Sequence, residues 1–400
     1  MKRQILVLLA MLPSISHATD PIESAKATNS LGITLLQKAT PVGNTLLSPF
    51  SIEVALAMTY AGADGETARQ MAGVLGYGPD AISQFAALSR TIGSQIDQEN
   101  MTWSMANALF GQSGYPFLHD FLETLKSEFS APLETVNFQE NPAAATDLIN
   151  AWIAARTKSK IENLIPSGAL TRDTALVLAN AIYFKSAWLE AFDKGATRPG
   201  PFRLEDGSTV EVPMMSQTSR LGYLKAKGYQ AVTLPYANSD FLLAVLLPDE
   251  SLPALEKSLT GADLQKVAAA PDQRVALQMP GFRIAPPVLQ LGSVLARLGM
   301  PSAFDQPQGS ANFSKMGPRK PDDYLYISNV FHKTFIDVDE AGTEAAAATA
   351  VVMMRMTAMP VDPPLPIIIN RPFLFALMHR PTGTALFLGR VSDPRDGKKM

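Results

Sequence analysis

Apolar positions along the chain fall into two regimes. Up to about residue 164 they recur at helical spacing. Ser51 to Tyr60 is apolar at that spacing, and Ser48-Pro49 ahead of it is a helix start signal. The same spacing predicts helices within 22–76, over 79–98 and over 117–129. Residues 141–164 open on Asn-Pro and place Leu148, Ile149, Trp152 and Ile153 at i, i+1, i+4 and i+5, which predicts one amphipathic helix. Beyond residue 174 the pattern changes. Ala175 to Phe184 is apolar but for Asn180, the mark of a strand buried on both faces. Phe202 to Met215 predicts a hairpin around Glu205-Asp206-Gly207, and Thr233–Tyr236 with Phe241–Leu247 predicts a strand pair. Val275 to Ile284 reads as a strand and Leu289 to Leu298 as a helix capped by Gly299. Leu325 to Val391 is almost all strand, apart from an Ala-rich patch and a Pro-rich patch. With no linker and no fixed repeat, the pattern predicts one large α+β domain.

The N-terminus adds a compartment to this picture. Met1-Lys2-Arg3 is a short basic region, Ile5 to Leu12 an apolar run, and Ser16 and Ala18 are small residues at the two positions a signal peptidase reads. We expect residues 1–18 to be an export signal cut after Ala18, with 19–400 as the mature domain, soluble in a bacterial periplasm or outside the cell. The run is too short to span a bilayer, which takes ~20 apolar residues, and no Cys follows it to carry a lipid anchor. Removing Lys2 and Arg3 leaves 32 basic against 37 acidic residues, a net charge of −5 in place of −3. That balance gives no electrostatic case for nucleic acid.

Composition then removes whole classes of chemistry. Without Cys there is no disulfide, no thiolate metal site and no cysteine nucleophile. Three histidines remain after Ala18 (His119, His332 and His379), and none stands in a metal-ligand spacing. His119 and His379 read as solvated surface residues. No G-x-S-x-G elbow, P-loop or G-x-G-x-x-G occurs, so neither a catalytic triad nor a cofactor is indicated. No metal is expected.

One segment invites a different kind of function. Residues 340–356 read Glu-Ala-Gly-Thr-Glu-Ala-Ala-Ala-Ala-Thr-Ala-Val-Val-Met-Met-Arg-Met, and Pro360, Pro363, Pro364 and Pro366 follow. Helix propensity favours a small buried helix over the alanines. Read as a strand, the segment has one face made of Thr343, Ala345, Ala347, Thr349 and Val351, small and uncharged, while the other begins with Glu344 and can meet solvent. Gly342 supplies a flexible start. The downstream prolines cannot join a central ladder, so the far end should stay extended and unpaired. Such a segment can be an exposed loop in one state and an inserted strand in another.

The chain resembles the serpin family along its whole length after the export signal. The matching stretches, in the family's order, are Leu47–Ile52, Asn107–Phe110, Ala179–Trp188, Leu246–Glu250, Val330–Lys333, Asp339–Ala346, Asn370–Phe373 and Phe387–Arg390. Ser159, within Thr157-Lys-Ser-Lys-Ile161, stands where the family often has Gly. The resemblance implies three β-sheets with eight or nine helices and an exposed reactive-centre loop at about 340–366. It implies a suicide-substrate inhibitor in place of an enzyme. A target protease cuts the loop, the loop inserts into the main sheet, and the acyl-bound protease is carried along and trapped. Loop insertion is a known property of that family and not a deduction from these residues.

Residue by residue, the resemblance places the loop hinge at Glu340, Gly342, Thr343, Glu344, Ala345, Ala346, Ala347 and Ala348. It puts Ser48, Ser51, Asn180 and His332 in a polar cluster beneath the opening strands, with Trp188 at the top of that sheet. Counting Glu340 as the first residue, the family's cut falls after the seventeenth, Met356, so the favoured bond is Met356–Thr357. Methionine suits elastase-like or chymotrypsin-like pockets; a shift of one residue would present Arg355 to a trypsin-like pocket. The expected partner is a serine protease, with papain-like cysteine proteases a further target class, and the protein is expected to be a monomer. Residues 64–90 hold only Arg69 and Arg90 against Asp64, Glu66 and Asp80, so no glycosaminoglycan stripe is evident. The competing expectation is a non-inhibitory carrier or chaperone with the same fold.

Overall fold

A computed structural model describes residues 21–95, 101–129, 131, 133–344 and 363–395. Nine α-helices occur among them: α1 (Pro21–Ala39), α2 (Pro49–Ala61), α3 (Gly65–Leu75), α4 (Ala81–Ser94), α5 (His119–Phe129), α6 (Pro142–Arg156), α7 (Leu252–Ser258), α8 (Gly261–Ala268) and α9 (Gly292–Leu298). The strands, in chain order, are β1 (Thr45–Leu47), β2 (Met101–Gln112), β3 (Leu133–Val136), β4 (Leu176–Ala187), β5 (Arg198–Arg203), β6 (Thr209–Ala226), β7 (Tyr229–Pro235), β8 (Phe241–Pro248), β9 (Asp272–Pro280), β10 (Phe282–Ile284), β11 (Leu289–Gln290), β12 (Ile327–Val338), β13 (Gly342–Thr343), β14 (Leu365–Ile368), β15 (Phe373–His379) and β16 (Thr384–Val391). The α+β class holds.

The larger sheet runs β1-β16-β15-β8-β7-β6-β9-β14, with β5 also on β6. Strand β6 changes partner along its length: Thr209–Met214 pairs with β5, Met214–Gly222 with β9 and Gly222–Ala226 with β7. Two of the three expected sheets are thereby joined through β6 into one continuous ladder. The smaller sheet runs β10-β12-β13-β4-β2-β3, with β11 on β12 and a direct β12–β4 pairing below β13.

Strand β4 shows why Ala175 to Phe184 carries apolar residues on both faces. Leu176, Leu178, Ile182 and Phe184 join the large core shared with α2, while Val177, Ala179 and Ala181 join a second core under α6 with Ile149 and Ile153. Each of those two isoleucines contributes roughly 1.5–3 kcal/mol on burial. Leu148, on the outer side of α6, is 61% exposed.

Helix α6 starts as its sequence predicts, since the Asn141 side chain accepts from Ala144 N–H at 3.0 Å. It ends at Arg156 and does not reach Leu164, because Lys158, Ser159 and Asn163 have φ of 51°, 55° and 52°. Those left-handed residues turn the chain back across the smaller sheet. A glycine suits that geometry better than Ser159 does, which explains the family's frequent choice. The prediction that the prolines stay unpaired is corrected at Pro366, which sits opposite Ala276 in β14. Among the described residues that strand is the sheet edge, with β9 as its one neighbour, the place where a ladder accepts proline.

Candidate functional site

The smaller sheet carries a buried polar rung across its middle. Asn107 on β2 stands opposite Asn180 on β4, and Asn180 opposite His332 on β12. All three are buried, together with Ser48 and Ser51. Helix α2 supplies the other half. Ser48 is its N-cap, its Oγ accepting from Ser51 N–H at 3.1 Å and donating to the Leu386 carbonyl at 2.5 Å. Ser51 Oγ donates to Asn107 Oδ1 at 2.9 Å, and Asn107 Nδ2 donates to the Ser51 carbonyl at 3.2 Å. Asn180 Nδ2 lies 2.6 Å from both Ser51 Oγ and Asn107 Oδ1.

His332 closes the network, and its tautomer follows from its partners. Nε2 receives Ser48 N–H at 3.0 Å, so it must be the acceptor. The proton therefore sits on Nδ1 and is donated to Asn180 Oδ1. Burial lowers its pKa to about 3, so the imidazole is neutral at physiological pH. A second ring proton would also oppose the Ser48 N–H. Every named side chain in the cluster has hydrogen-bond partners, and hydroxyls and amides of this kind can exchange partners without leaving a group unsatisfied.

At the top of the same sheet β12 and β4 part, and β13 lies between them. Thr343 sits opposite Val338 on β12 and Ser186 on β4, and Gly342 opposite Ala187. The turn between β12 and β13 is held by Asp339, whose Oδ1 accepts from Ala341 N–H at 2.8 Å and Gly342 N–H at 3.2 Å. Trp188 N–H donates to the Ala341 carbonyl at 3.0 Å and its indole Nε1–H to the Asp339 carbonyl at 2.9 Å. Its ring stacks on Tyr236, centroids 4.6 Å apart, and the Tyr236 and Thr343 hydroxyls lie 2.6 Å apart in the core. Glu340 Oε1 accepts from Thr197 Oγ1 at 2.8 Å. Gly342 has φ 153°, and a Cβ there would stand 2.1 Å from the Ser186 carbonyl oxygen. No other residue fits that position without moving β4.

Below Thr343 the strands close in parallel, Phe335 opposite Tyr183 and His332 opposite Asn180. Each of these pairs is offset by 152 residues, as is the Val338–Ser186 pair that flanks Thr343. A strand continuing from Thr343 would thus meet β12 and β4 already in register. The pairs need to part, and neither strand needs to slide.

The family model described as Serpin (serine protease inhibitor) matches residues 26–394. This chain belongs to the serpin family. It is similar to the leukocyte elastase inhibitor of Bos taurus, at 38% identity over 371 residues that cover 90% of this chain and 95% of the relative. Among solved structures it is similar to the thermophilic serpin tengpin in the native state, with a TM-score of 0.82, 28% identity and coverage of 93% and 94%. Human thyroxine-binding globulin complexed with thyroxine gives a TM-score of 0.81 at 28% identity, covering 94% and 100%.

In this serpin the expected residues divide cleanly. Ser48, Ser51, Asn180 and His332 come together, as do Trp188, Glu340, Gly342 and Thr343 around β13. The expectation for Glu344 is corrected. Its side chain is only 19% exposed and pairs with Lys160. Ala345–Ala348, Arg355, Met356, Thr357 and the export signal lie outside the described residues. Sequence reasoning missed Asn107, although Ala106-Asn107-Ala108 repeats the pattern of Ala179-Asn180-Ala181, a lone amide in an apolar strand. Tyr236 and Asp339 carried no such signal. His379 is corrected too: it is buried, bonded to Thr382 Oγ1 at 2.8 Å and to Gln95 Oε1, and burial lowers its pKa to about 4.

Proposed function

We propose that this serpin inhibits serine endopeptidases of elastase-like or chymotrypsin-like specificity as a suicide substrate. The observation that carries the reading is the two-residue hinge seated between β12 and β4, above strand pairs that share its register. Resemblance to leukocyte elastase inhibitor supports the target class.

In chemical terms the protease serine Oγ attacks the Met356 carbonyl carbon. The Met356–Thr357 amide bond breaks, the amine of Thr357 leaves with a proton, and Met356 remains as an ester on the serine. Water would complete hydrolysis by cleaving that ester. Insertion competes with that step. Continuing the observed register, Ala345, Ala347, Thr349 and Val351 would enter on the inner face, and Thr349 would arrive between His332 and Asn180. Small residues there demand little space, and no charge is buried. Parting the strands removes one parallel pairing and creates two antiparallel ones, the stronger kind per residue.

Export through the segment ahead of residue 19, action outside the cytoplasm and a monomeric state belong to the same proposal. Export and action outside the cytoplasm rest on the basic and apolar run at 2–12. The vertebrate relative gives no support for a bacterial source.

Incubation with elastase, chymotrypsin and trypsin tests the reading. At least one should give an SDS-resistant complex, and mass spectrometry of the released C-terminal fragment should begin at Thr357, or at Met356 if Arg355 is the bait. Cleavage by all three without a complex would point to the carrier reading, and the loop-cleaved protein would then melt no higher than the intact one.

A further inference from the structure

The uppermost closed rung of the parted sheet is Phe335 opposite Tyr183, and it is the first pair an advancing strand must separate. Both side chains are buried, at 9% and 3% exposure. Two cations cover it. Lys160 Nζ lies 5.8 Å from the Tyr183 ring centroid, and the Arg283 guanidinium carbon 5.0 Å from that of Phe335. These are cation–π distances, one cation on each strand of the pair.

Lys160 does a second thing. It lies in the left-handed turn after α6 and forms an ion pair with Glu344. Glu344 is the residue at which the chain leaves the sheet: its N–H donates to the Asp337 carbonyl at 2.7 Å, but its φ is 47°. An extended strand cannot run through a left-handed residue, so Glu344 must change conformation before Ala345 can follow Thr343 into the sheet. The carboxylate is also held close. Its Oε2 is buried, and the Tyr183 hydroxyl faces the carboxylate. Burial first, and this carboxylate second, push the Tyr183 phenol well above its ordinary pKa.

We propose that Lys160, Glu344 and Tyr183 form a clasp that arrests the hinge after two inserted residues and sets the rate at which the Phe335–Tyr183 rung opens. Lys160 is here a positioning residue. It touches neither protease nor scissile bond and acts by holding Glu344 in its turned-out conformation. The proposal rests on the inhibitory reading, since it assigns a rate to the insertion step of that mechanism.

The test measures sheet opening without a protease. A synthetic peptide with the sequence of residues 345–355 is offered to the intact protein, and its uptake is followed by native gel shift. Lys160→Met keeps the aliphatic stem over Tyr183 and removes the charge. Uptake should be about three- to ten-fold faster in this variant, the effect expected for one partly buried ion pair with a cation–π contact. Glu344→Gln should accelerate it similarly, the double variant should be no faster than either single one, and Lys160→Arg should restore the slow rate. Unchanged uptake in both single variants overturns the clasp. So do additive effects in the double variant, because independent weakening of packing adds. A fall in melting temperature that is equal in the intact and loop-cleaved proteins also overturns it. If the unmodified protein traps no protease, the inhibitory reading falls, while peptide uptake still decides the clasp.

Discussion

The two sheets of this serpin fill their centres with opposite chemistry. In the larger one, β8 and β15 are buried at every residue and pair antiparallel, Leu374 against Leu246 and Leu377 against Leu243. In the smaller one, the central neighbours β4 and β12 pair in parallel, and His332 and Asn180 stand where the larger sheet has Leu or Phe. A sheet that has only to stay closed maximises buried apolar area. A sheet with a hinge already seated in it keeps a less stable pairing and groups that can exchange partners. The contrast teaches that the weak line of the molecule is set by pairing direction and polarity, with no thinning of the core.

The largest effect should come from the closed sheet. Phe375 is fully buried, its ring 4.8 Å from that of Phe282. Phe375→Ala should cost about 3–5 kcal/mol in urea unfolding, to the same extent before and after loop cleavage. His332→Leu leaves the Ser48 N–H and Asn180 Oδ1 without their partner, at a cost of about 2–4 kcal/mol. It should also raise the rate of spontaneous inactivation at 50–60 °C, which Phe375→Ala should change less for the stability it removes. Equal kinetic effects per kcal/mol would break the contrast.

Proton linkage sharpens it next. His332 and His379 have folded pKa values of about 3 and 4, below the ordinary 6.5, so the unfolded chain binds the extra protons. Their contribution is complete above pH 6.5 and is lost as pH falls toward those values. Glu53, buried on α2 near Thr28 and Tyr77, has its pKa raised by burial to about 8 from 4.5. Its contribution is complete below pH 4.5 and is lost as pH rises through about 8. Between pH 6.5 and 8 stability should therefore fall by about 2 kcal/mol, one proton's worth over that interval. Glu53→Gln should flatten this limb in unfolding curves recorded across pH. The smallest effect is expected from Tyr236→Phe, which deletes the hydroxyl contact to Thr343 at 2.6 Å. It should cost about 1 kcal/mol in the intact protein by thermal unfolding.

Much of this was legible in the residues. Ser48-Pro49 marked the start of α2, Asn141-Pro142 that of α6, and the double-faced apolar run marked β4, because caps and periodicity are local signals. The end of α6 was not legible, since it depends on three left-handed residues with side chains that do not demand that conformation. His379 looked like a surface residue because its burial and its bond to Gln95, 284 residues away, arise only in the folded chain. Asn107 could have been found from its alanine neighbours; Tyr236 could not, because its role depends on a hinge 107 residues away.

The short turn from Val338 to Thr343 has a consequence for how this loop can change over time. Four residues, Asp339 to Gly342, separate the paired positions. Their even number decides which row of the following segment faces inward. One residue gained or lost there would act like a reading-frame error, sending Glu344 and its companions toward the core and the threonines outward. Two residues together would preserve the frame. Length variation at this turn should thus come in pairs, whereas substitution within it has more freedom except at Asp339, whose carboxylate holds the turn, and at Gly342.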